Sequence, residues 1–187
     1  MPNQQPTITA ATPNRHGLPR RFAASAAAVL AFIIDPQERF LLLRHPQREG
    51  WEVVNGAIDA AETVLDAVLR ETREEAGRIA VRPLGTIHAY TYRYDDHVQY
   101  MHVIAYLLAY GGGAVVPGDD MSGSDVCWLD AAAIESGAVP LTVPDGQAWL
   151  FSRALGLYRL WKDAAPPLQP LMGPATQNKH VRGNDAE

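Results

Sequence analysis

The stretch GAIDAAETVLDAVLRETREEAG, residues 56–77, contains the pattern that decides the fold. At 100° per residue, its apolar side chains fall in one sector, which predicts an amphipathic helix over about residues 63–76. Gly77 follows the last helical residue, as is usual where a helix ends. The predicted core face consists of Val64, Leu65, Val68, Leu69, Thr72 and Ala76.

Three glutamates, Glu71, Glu74 and Glu75, crowd the end of this helix. They share one side of it, because residues three and four apart are neighbours on a helix. Like charges at this spacing repel, and the negative end of the helix dipole adds to the repulsion. Two explanations stand: a solvated acidic face partly neutralised by nearby arginines, or a site for a divalent cation, whose preferred ligands are carboxylate oxygens.

The composition is that of a soluble globular protein. The chain has 187 residues, of which 47% are hydrophobic and 20% charged, so one domain can bury a sizeable core. A formal net charge of −5 argues against a general nucleic-acid-binding surface. The single cysteine, Cys127, excludes an intrachain disulfide framework, and its apolar neighbours predict a buried side chain.

The domain is predicted to lie between two disordered ends. Residues 1–21 and 164–187 are polar and rich in proline, which leaves residues 22–163 as the folded unit. Hairpins of strands with inserted helices predict a layered α/β domain. The strands are expected at 26–34, 40–44, 51–54, 81–94, 99–110 and 126–129, and further helices at 130–135 and 145–162.

The segment LPRRFAASAAAVLAFII, residues 18–34, has the shape of an export signal, with paired arginines before a mostly apolar run. It is shorter than the about 20 residues of a membrane-spanning helix. A turn, DPQER, and a strand, FLLLR, follow it, so we interpret the run as a buried strand of the domain. We therefore expect a cytoplasmic protein that does not associate with membranes.

The spacing within residues 56–77 resembles the Nudix box, the signature of the Nudix hydrolases. All of its fixed positions are present in register: Gly56, Glu62, Arg70, Glu71, Glu74, Glu75 and Gly77. A broader likeness extends from about residue 22 to residue 161. There are departures in the loop, where Val54-Asn55-Gly56 replaces Pro-Gly-Gly, and at Thr72 and Arg78, where the box usually has bulky apolar residues. We expect Ile79 to supply the apolar contact one step later.

The resemblance implies an α/β/α sandwich with a mixed β-sheet. It also implies hydrolysis, dependent on Mg²⁺ or Mn²⁺, of the diphosphate linkage between a nucleoside and another group. Its implied metal ligands are Glu71, Glu74 and Glu75, with the carbonyl of Asn55 or of Gly56. By the same resemblance Glu62 and Arg70 pair to brace the loop against the helix, which Gly77 ends.

The sequence leaves open which residue accepts the proton of the attacking water. Glu75 or Glu74 is the first candidate. In some relatives a carboxylate from a distant loop does this, and here that loop offers Asp119, Asp120 and Asp125.

The substrate class is also open, among dinucleoside polyphosphates, ADP-ribose or other nucleotide sugars, and nucleoside triphosphates. WEVVNGAID resembles the stretch before the box in enzymes of nucleotide sugars, whereas Tyr94 is more typical of dinucleoside polyphosphate hydrolases. We expect Arg44, Trp51 and Tyr94 to contact substrate. A base-stacking ring could be among Tyr90, Tyr92, Tyr94 and Tyr100, although strand tyrosines are more often half-buried sheet residues.

The rival interpretation is a Nudix-like domain that senses a nucleotide without cleaving it. Such domains commonly lose box glutamates, and this chain has all of them. The expected partner is a small-molecule nucleotide rather than a nucleic acid. Because family members are often dimers, a homodimer is also considered.

Overall fold

The computed structural model describes residues 8–13, 19–23, 25–93 and 100–164. The first strands are β1 (Ile8–Pro13), β2 (Pro19–Ala23), β3 (Ala26–Ile34), β4 (Phe40–Arg44), β5 (Trp51–Glu52) and β6 (Val54–Ala57). They are followed by α1 (Val64–Glu75), β7 (Ala80–Tyr92) and β8 (Met101–Gly112). The remaining elements are a 3₁₀ turn (Asp119–Met121), β9 (Asp125–Leu129), α2 (Ala131–Glu135), β10 (Leu141–Val143) and α3 (Trp149–Trp161).

Eight of the strands form one mixed sheet. Its order is β10-β5-β4-β3-β8-β7, with β6 also paired to β3 and β9 also paired to β4. The pairs β3–β8 and β5–β10 are parallel, and the other pairs in the sheet are antiparallel. Helix α1 packs near β6 and β3, whereas α3 contacts β7, β3 and β8. The predicted fold class, an α/β sandwich with a mixed sheet, is confirmed.

Strand β3 separates two apolar cores. Its even-numbered residues from Leu30 to Ile34 belong to the core under α3, and its odd-numbered residues from Val29 to Ile33 belong to the core under α1. A strand with both faces buried reads as a continuous apolar run, which explains the signal-like appearance of this segment. None of the helices in the described part of the chain is long and apolar enough to cross a membrane.

Three details of the predicted strands differ from the structure. Within the arm expected to be disordered, residues 1–21, the structure has β1 and the start of β2, which pair antiparallel. The strand predicted at 51–54 is two strands, because β5 pairs with β4 and β6 pairs with β3. The third is β10, which was not predicted. The tail from residue 165 onwards and residues 94–99 lie outside the described residues.

Helix α1 begins with a side-chain cap, because the Thr63 hydroxyl accepts a hydrogen bond from the Asp66 amide at 3.2 Å. It ends before Gly77, whose φ of 82° lies in the left-handed region. The predicted core face is rotated, since Leu65 and Leu69 are only partly buried. The buried residues are Ala67, Val68, Glu71, Thr72 and Glu75. Ile79 is buried in the same apolar core, as expected from the sequence.

Candidate active site

Two glutamates of α1 are directed towards β6 rather than towards solvent. Glu71 and Glu75 are both buried, and Gly56 of β6 lies directly against the first of them. A Cβ atom added at Gly56 would overlap the carboxylate of Glu71. The glycine is therefore required by the close approach of the helix carboxylate to the strand. Of the two explanations left open by the sequence, a solvated acidic face does not describe these two residues.

Glu75 is the more deeply buried of the pair. One of its oxygens accepts a hydrogen bond from the Asn55 backbone amide at 2.9 Å. The pKa of Glu75 is raised to about 8. Burial is the largest cause, the hydrogen bond from the Asn55 amide opposes it, and the negative charges of Asp120, Glu71 and Glu52 add to the rise. At neutral pH and without a cation, this carboxyl group is therefore largely protonated.

Glu71 has a similar but weaker perturbation. Burial raises its pKa, contacts with Arg70 oppose the rise, and the charges of Glu74 and Asp120 add to it. The site thus holds more negative charge than its surroundings neutralise. This is the electrostatic condition under which a cation binds favourably.

Arg70 connects the loop to the helix. Its guanidinium donates to both oxygens of Glu62, at 2.9 and 3.0 Å, and to the backbone carbonyl of Ala57 at 2.8 Å. The Nη1 atom donates to Glu71 at 2.6 Å and to Glu74 at 2.9 Å. The pair of Glu62 and Arg70 that the resemblance implies is present, together with contacts that the sequence did not predict.

The loop before β9 covers the carboxyl end of α1. The amide of Val116 donates to the carbonyl of Ala76 at 3.1 Å, and the amide of Gly118 approaches the carbonyl of Glu75 at 3.4 Å. These contacts bring the 3₁₀ turn against the helix. Asp120 is exposed there, and its charge raises the pKa of both buried glutamates. The sequence did not indicate that Asp120 lies near Glu75, because more than 40 residues separate the two in the chain.

The other expected residues lie on different strands. The Arg44 guanidinium sits 5.1 Å from the centre of the Trp51 ring and forms an ion pair with Asp125. Asp125 therefore accompanies Arg44 rather than the buried glutamates. Tyr94 lies outside the described residues. The expected substrate contacts of these residues stay predictions.

The sequence did not predict another buried carboxylate, Glu52. It is fully buried and accepts from Arg48 Nη1 at 2.7 and 2.9 Å. The Asn55 side-chain amide donates to Glu52 at 3.3 Å and to the carbonyl of Val53 at 2.9 Å. Glu52 thereby supports Asn55 of β6, whose backbone amide donates to Glu75. The available signal was an acidic residue within an apolar strand, four positions after an arginine.

We expect Arg48→Met to lower the free energy of unfolding by about 3 kcal/mol, because it leaves Glu52 buried without its partner. Adding Glu52→Met should recover most of the loss. Urea unfolding measures both variants. The matched control is Arg44→Met, which removes an exposed ion pair and should cost about 1 kcal/mol or less. Equal losses in the two arginine variants would contradict the prediction.

The donor set fits a hard divalent cation. Glu71 and Glu75 offer carboxylate oxygens with raised pKa, and the neighbouring carbonyls of Asn55 and Gly56 are also oxygen donors. Within the described ranges, no three acidic, histidine or cysteine side chains form a ready-made cage. Arg70 contacts one carboxylate oxygen of Glu71 and one of Glu74, so the second oxygen of each group is not engaged by Arg70.

Solved structures share this fold at low sequence identity. A UDP-X diphosphatase superposes with a TM-score of 0.59 and 13% identity, covering 74% of this chain and 64% of that one. An ADP-ribose pyrophosphatase from Streptococcus suis 89-1591 superposes with a TM-score of 0.57 and 19% identity, covering 73% and 93%. At this level of identity the likeness establishes the fold alone.

Sequence comparison identifies the family. An uncharacterized Nudix hydrolase of Bacillus subtilis (strain 168), YvcI, is 31% identical over 67 residues, which cover 35% of this chain and 42% of that protein. The chain thus matches less than half the length of this relative. The model of the NUDIX domain matches residues 24–154, well over half of the 187 residues. This match contains the loop, helix and glutamates described above, and the chain belongs to the Nudix hydrolase family.

Proposed function

We propose that the protein is a Mg²⁺- or Mn²⁺-dependent hydrolase of the diphosphate linkage in nucleoside diphosphate derivatives, with residues 22–163 as its catalytic domain. The observation that carries the proposal is the pair of buried glutamates, Glu71 and Glu75, facing Gly56 with raised pKa values. Perturbed pKa values cluster at functional sites, because catalytic acids and bases need pKa values matched to their task. Solved structures with this fold include a UDP-X diphosphatase and an ADP-ribose pyrophosphatase, which supports a substrate of the same class.

Glu71 and Glu75 would hold the cation, with Glu74 and the carbonyl of Asn55 or Gly56 as further ligands. Nudix hydrolases generally use divalent metals. Such an ion, when bound, neutralises the diphosphate and lowers the pKa of water. Both Mg²⁺ and Mn²⁺ accept oxygen ligands. Which of the two ions binds therefore depends on their concentrations as much as on these ligands.

The reaction is attack of water on phosphorus. Water forms a new P–O bond, its proton passes to a carboxylate, and the bond to the leaving phosphate or sugar phosphate oxygen breaks. Glu75 is the first candidate for the base, since its hydrogen bond to Asn55 fixes one oxygen and leaves the other available. A bound cation would favour the ionised form of Glu75 that accepts a proton. Asp120 is the second candidate, because it is exposed and close enough to influence both buried glutamates. Arg70 neutralises the carboxylates that take no proton.

The test is hydrolysis of a substrate panel with and without chelator. The panel contains ADP-ribose, UDP-sugars, dinucleoside polyphosphates and nucleoside triphosphates, with products identified by chromatography. We expect turnover with millimolar Mg²⁺ or Mn²⁺, none in excess EDTA, and recovery when the ion is restored. Undiminished turnover in EDTA would refute the proposal. Nucleotide binding without turnover of any substrate would identify a sensor instead.

The raised pKa of Glu75 predicts how stability varies with pH when chelator is present. Between the ordinary carboxyl pKa of 4.5 and about 8, the folded state binds a proton that the unfolded state has released. This contribution to the free energy of unfolding is therefore complete below pH 4.5 and is lost as pH rises to about 8. Denaturant unfolding at pH 5.5, 7 and 8.5 measures it.

The matched variant for this measurement is Glu75→Gln, which keeps the shape of the side chain and cannot titrate. We expect the variant to gain stability relative to wild type as pH rises, because it does not carry the buried charge. A difference between the two proteins that is constant from pH 5.5 to pH 8.5 would contradict the assignment.

A further inference from the structure

Two buried carboxylates of the domain are each held by an exposed arginine four positions away. Glu52 pairs with Arg48, whose side chain is 43% exposed, and Asp35 pairs with Arg39, whose side chain is 47% exposed. The side chains of the two acids are only 1% and 4% exposed. An uncompensated charge in the interior is costly, so each arginine stabilises the fold.

The two pairs differ in what else the carboxylate contacts. Asp35 also accepts a hydrogen bond from the Arg39 amide at 2.8 Å, and the Asp35 amide donates to the Arg39 carbonyl at 2.9 Å. Glu52 instead accepts from the side-chain amide of Asn55 at 3.3 Å, in addition to its two contacts with Arg48. The first pair thus belongs to the turn between β3 and β4, whereas the second extends to β6.

Residues 52–55 carry the chain from one strand partner to another. β5 pairs with β4 and β10, whereas β6 pairs with β3. A change of partner interrupts the ladder of backbone hydrogen bonds, so the path of the chain depends more on side-chain contacts there. The Asn55 side chain supplies two of them, because it donates to Glu52 and, at 2.9 Å, to the carbonyl of Val53.

The backbone of Asn55 reaches the candidate active site. Its amide donates to one oxygen of Glu75 at 2.9 Å, and its carbonyl is among the candidate ligands of the cation. Side chain and backbone share one Cα atom, so contacts that hold the side chain also restrict the direction of the amide. A continuous series of hydrogen bonds therefore runs from the surface to the site, through Arg48, Glu52, Asn55 and Glu75.

We propose that Arg48 and Glu52 are positioning residues for the reaction, which act through Asn55 to fix the direction in which Glu75 meets the cation and the attacking water. Hydrogen-bonded partners of metal-ligating side chains contribute about 10- to 100-fold in metal affinity or activity. The inference rests on the proposed function. It adds to that function two residues that lie outside the motif of residues 56–77 and control the rate.

The test compares Arg48→Met with Arg39→Met, which removes the arginine of the other pair. Both variants leave a buried carboxylate without its guanidinium, so both should be less stable in urea unfolding. We expect kcat of Arg48→Met on the best substrate of the panel to fall about 10- to 100-fold, with KM within about threefold. Arg39→Met should retain the kcat of wild type. Equal losses of kcat in the two variants would overturn the positioning role.

Two further variants separate positioning from stability. Arg48→Met combined with Glu52→Met should recover most of the lost stability, because no buried charge remains. It should not recover kcat, because a thioether is a weak acceptor and leaves the Asn55 side chain unsupported. Arg48→Lys should retain most of the activity, since an ammonium group still neutralises Glu52. Wild-type kcat in the folded double variant would overturn the proposal.

Hydrogen exchange distinguishes failure of the positioning role from failure of the proposed function. The exchange rate of the Asn55 amide, measured by NMR without cation or substrate, reports on its hydrogen bond to Glu75. We expect the rate to rise about tenfold in the double variant and to be unchanged in Arg39→Met. A wild-type rate in the double variant would overturn the positioning role, whatever the enzyme hydrolyses. A faster rate without turnover of any substrate supports the positioning of Glu75 and refutes the proposed function.

Discussion

Glu75→Gln is expected to reduce kcat at least about a hundredfold while leaving the protein folded. The substitution removes a ligand for the cation and the oxygen best placed to accept a proton, and general base catalysis alone contributes about 10²- to 10⁴-fold. The amide is nearly isosteric and can still accept the hydrogen bond from Asn55. Initial rates on the best substrate of the panel, together with the melting temperature, measure the effect.

Two further variants test whether the loss of activity in Glu75→Gln comes from loss of the base or from loss of charge alone. Asp120→Asn should lower kcat less than Glu75→Gln does if Glu75 is the base, and more if the base is Asp120. Glu49→Gln is the control for charge alone, because Glu49 is an exposed carboxylate outside the box. Wild-type kcat in the Glu75→Gln protein would refute both roles of the residue.

Gly56→Ala should abolish most of the activity through a single added methyl group. The new Cβ would overlap the Glu71 carboxylate, so either the helix or the side chain must move. A displacement of about 1 Å at a catalytic group can cost about a hundredfold in rate. Overpacking of this kind also lowers the free energy of unfolding by about 1–3 kcal/mol. Rates and calorimetric Mg²⁺ binding should fall together.

The matched control is Gly156→Ala in the middle of α3. No atom lies within 4 Å of a Cβ added there, and alanine is favoured over glycine in a helix. We expect unchanged kcat and a melting temperature that is equal or higher. Full activity in Gly56→Ala would show that Glu71 need not approach the strand.

The local pattern predicted the elements of the site well. The amphipathic pattern predicted the position of α1, and Gly77 correctly indicated where the helix ends. The apolar runs located β3 and β4 to the residue. These features depend on hydrogen bonds and side-chain periods within short segments, which the sequence contains in full.

Features that depend on long-range packing were not predictable in the same way. The rotation of α1 that buries Glu71 and Glu75 follows from the close approach of Gly56, which lies in another element. The support of Asn55 by Glu52 and Arg48 requires the break between β5 and β6. The proximity of Asp120 requires the loop to fold back over the helix end. A prediction from the apolar pattern of a helix assigns every glutamate to the exposed face. It therefore predicts exposure even for a glutamate that the fold buries.

The shared contact of Arg70 with Glu71 and Glu74 has a consequence for assembly of the enzyme. A positive group carried by the chain itself already occupies the neighbourhood of the acidic side chains, so folding can be completed before any ion arrives. On the proposed function, the cation would then be added to a finished scaffold rather than be a condition for building it. Without the ion, the protein would be folded but inactive.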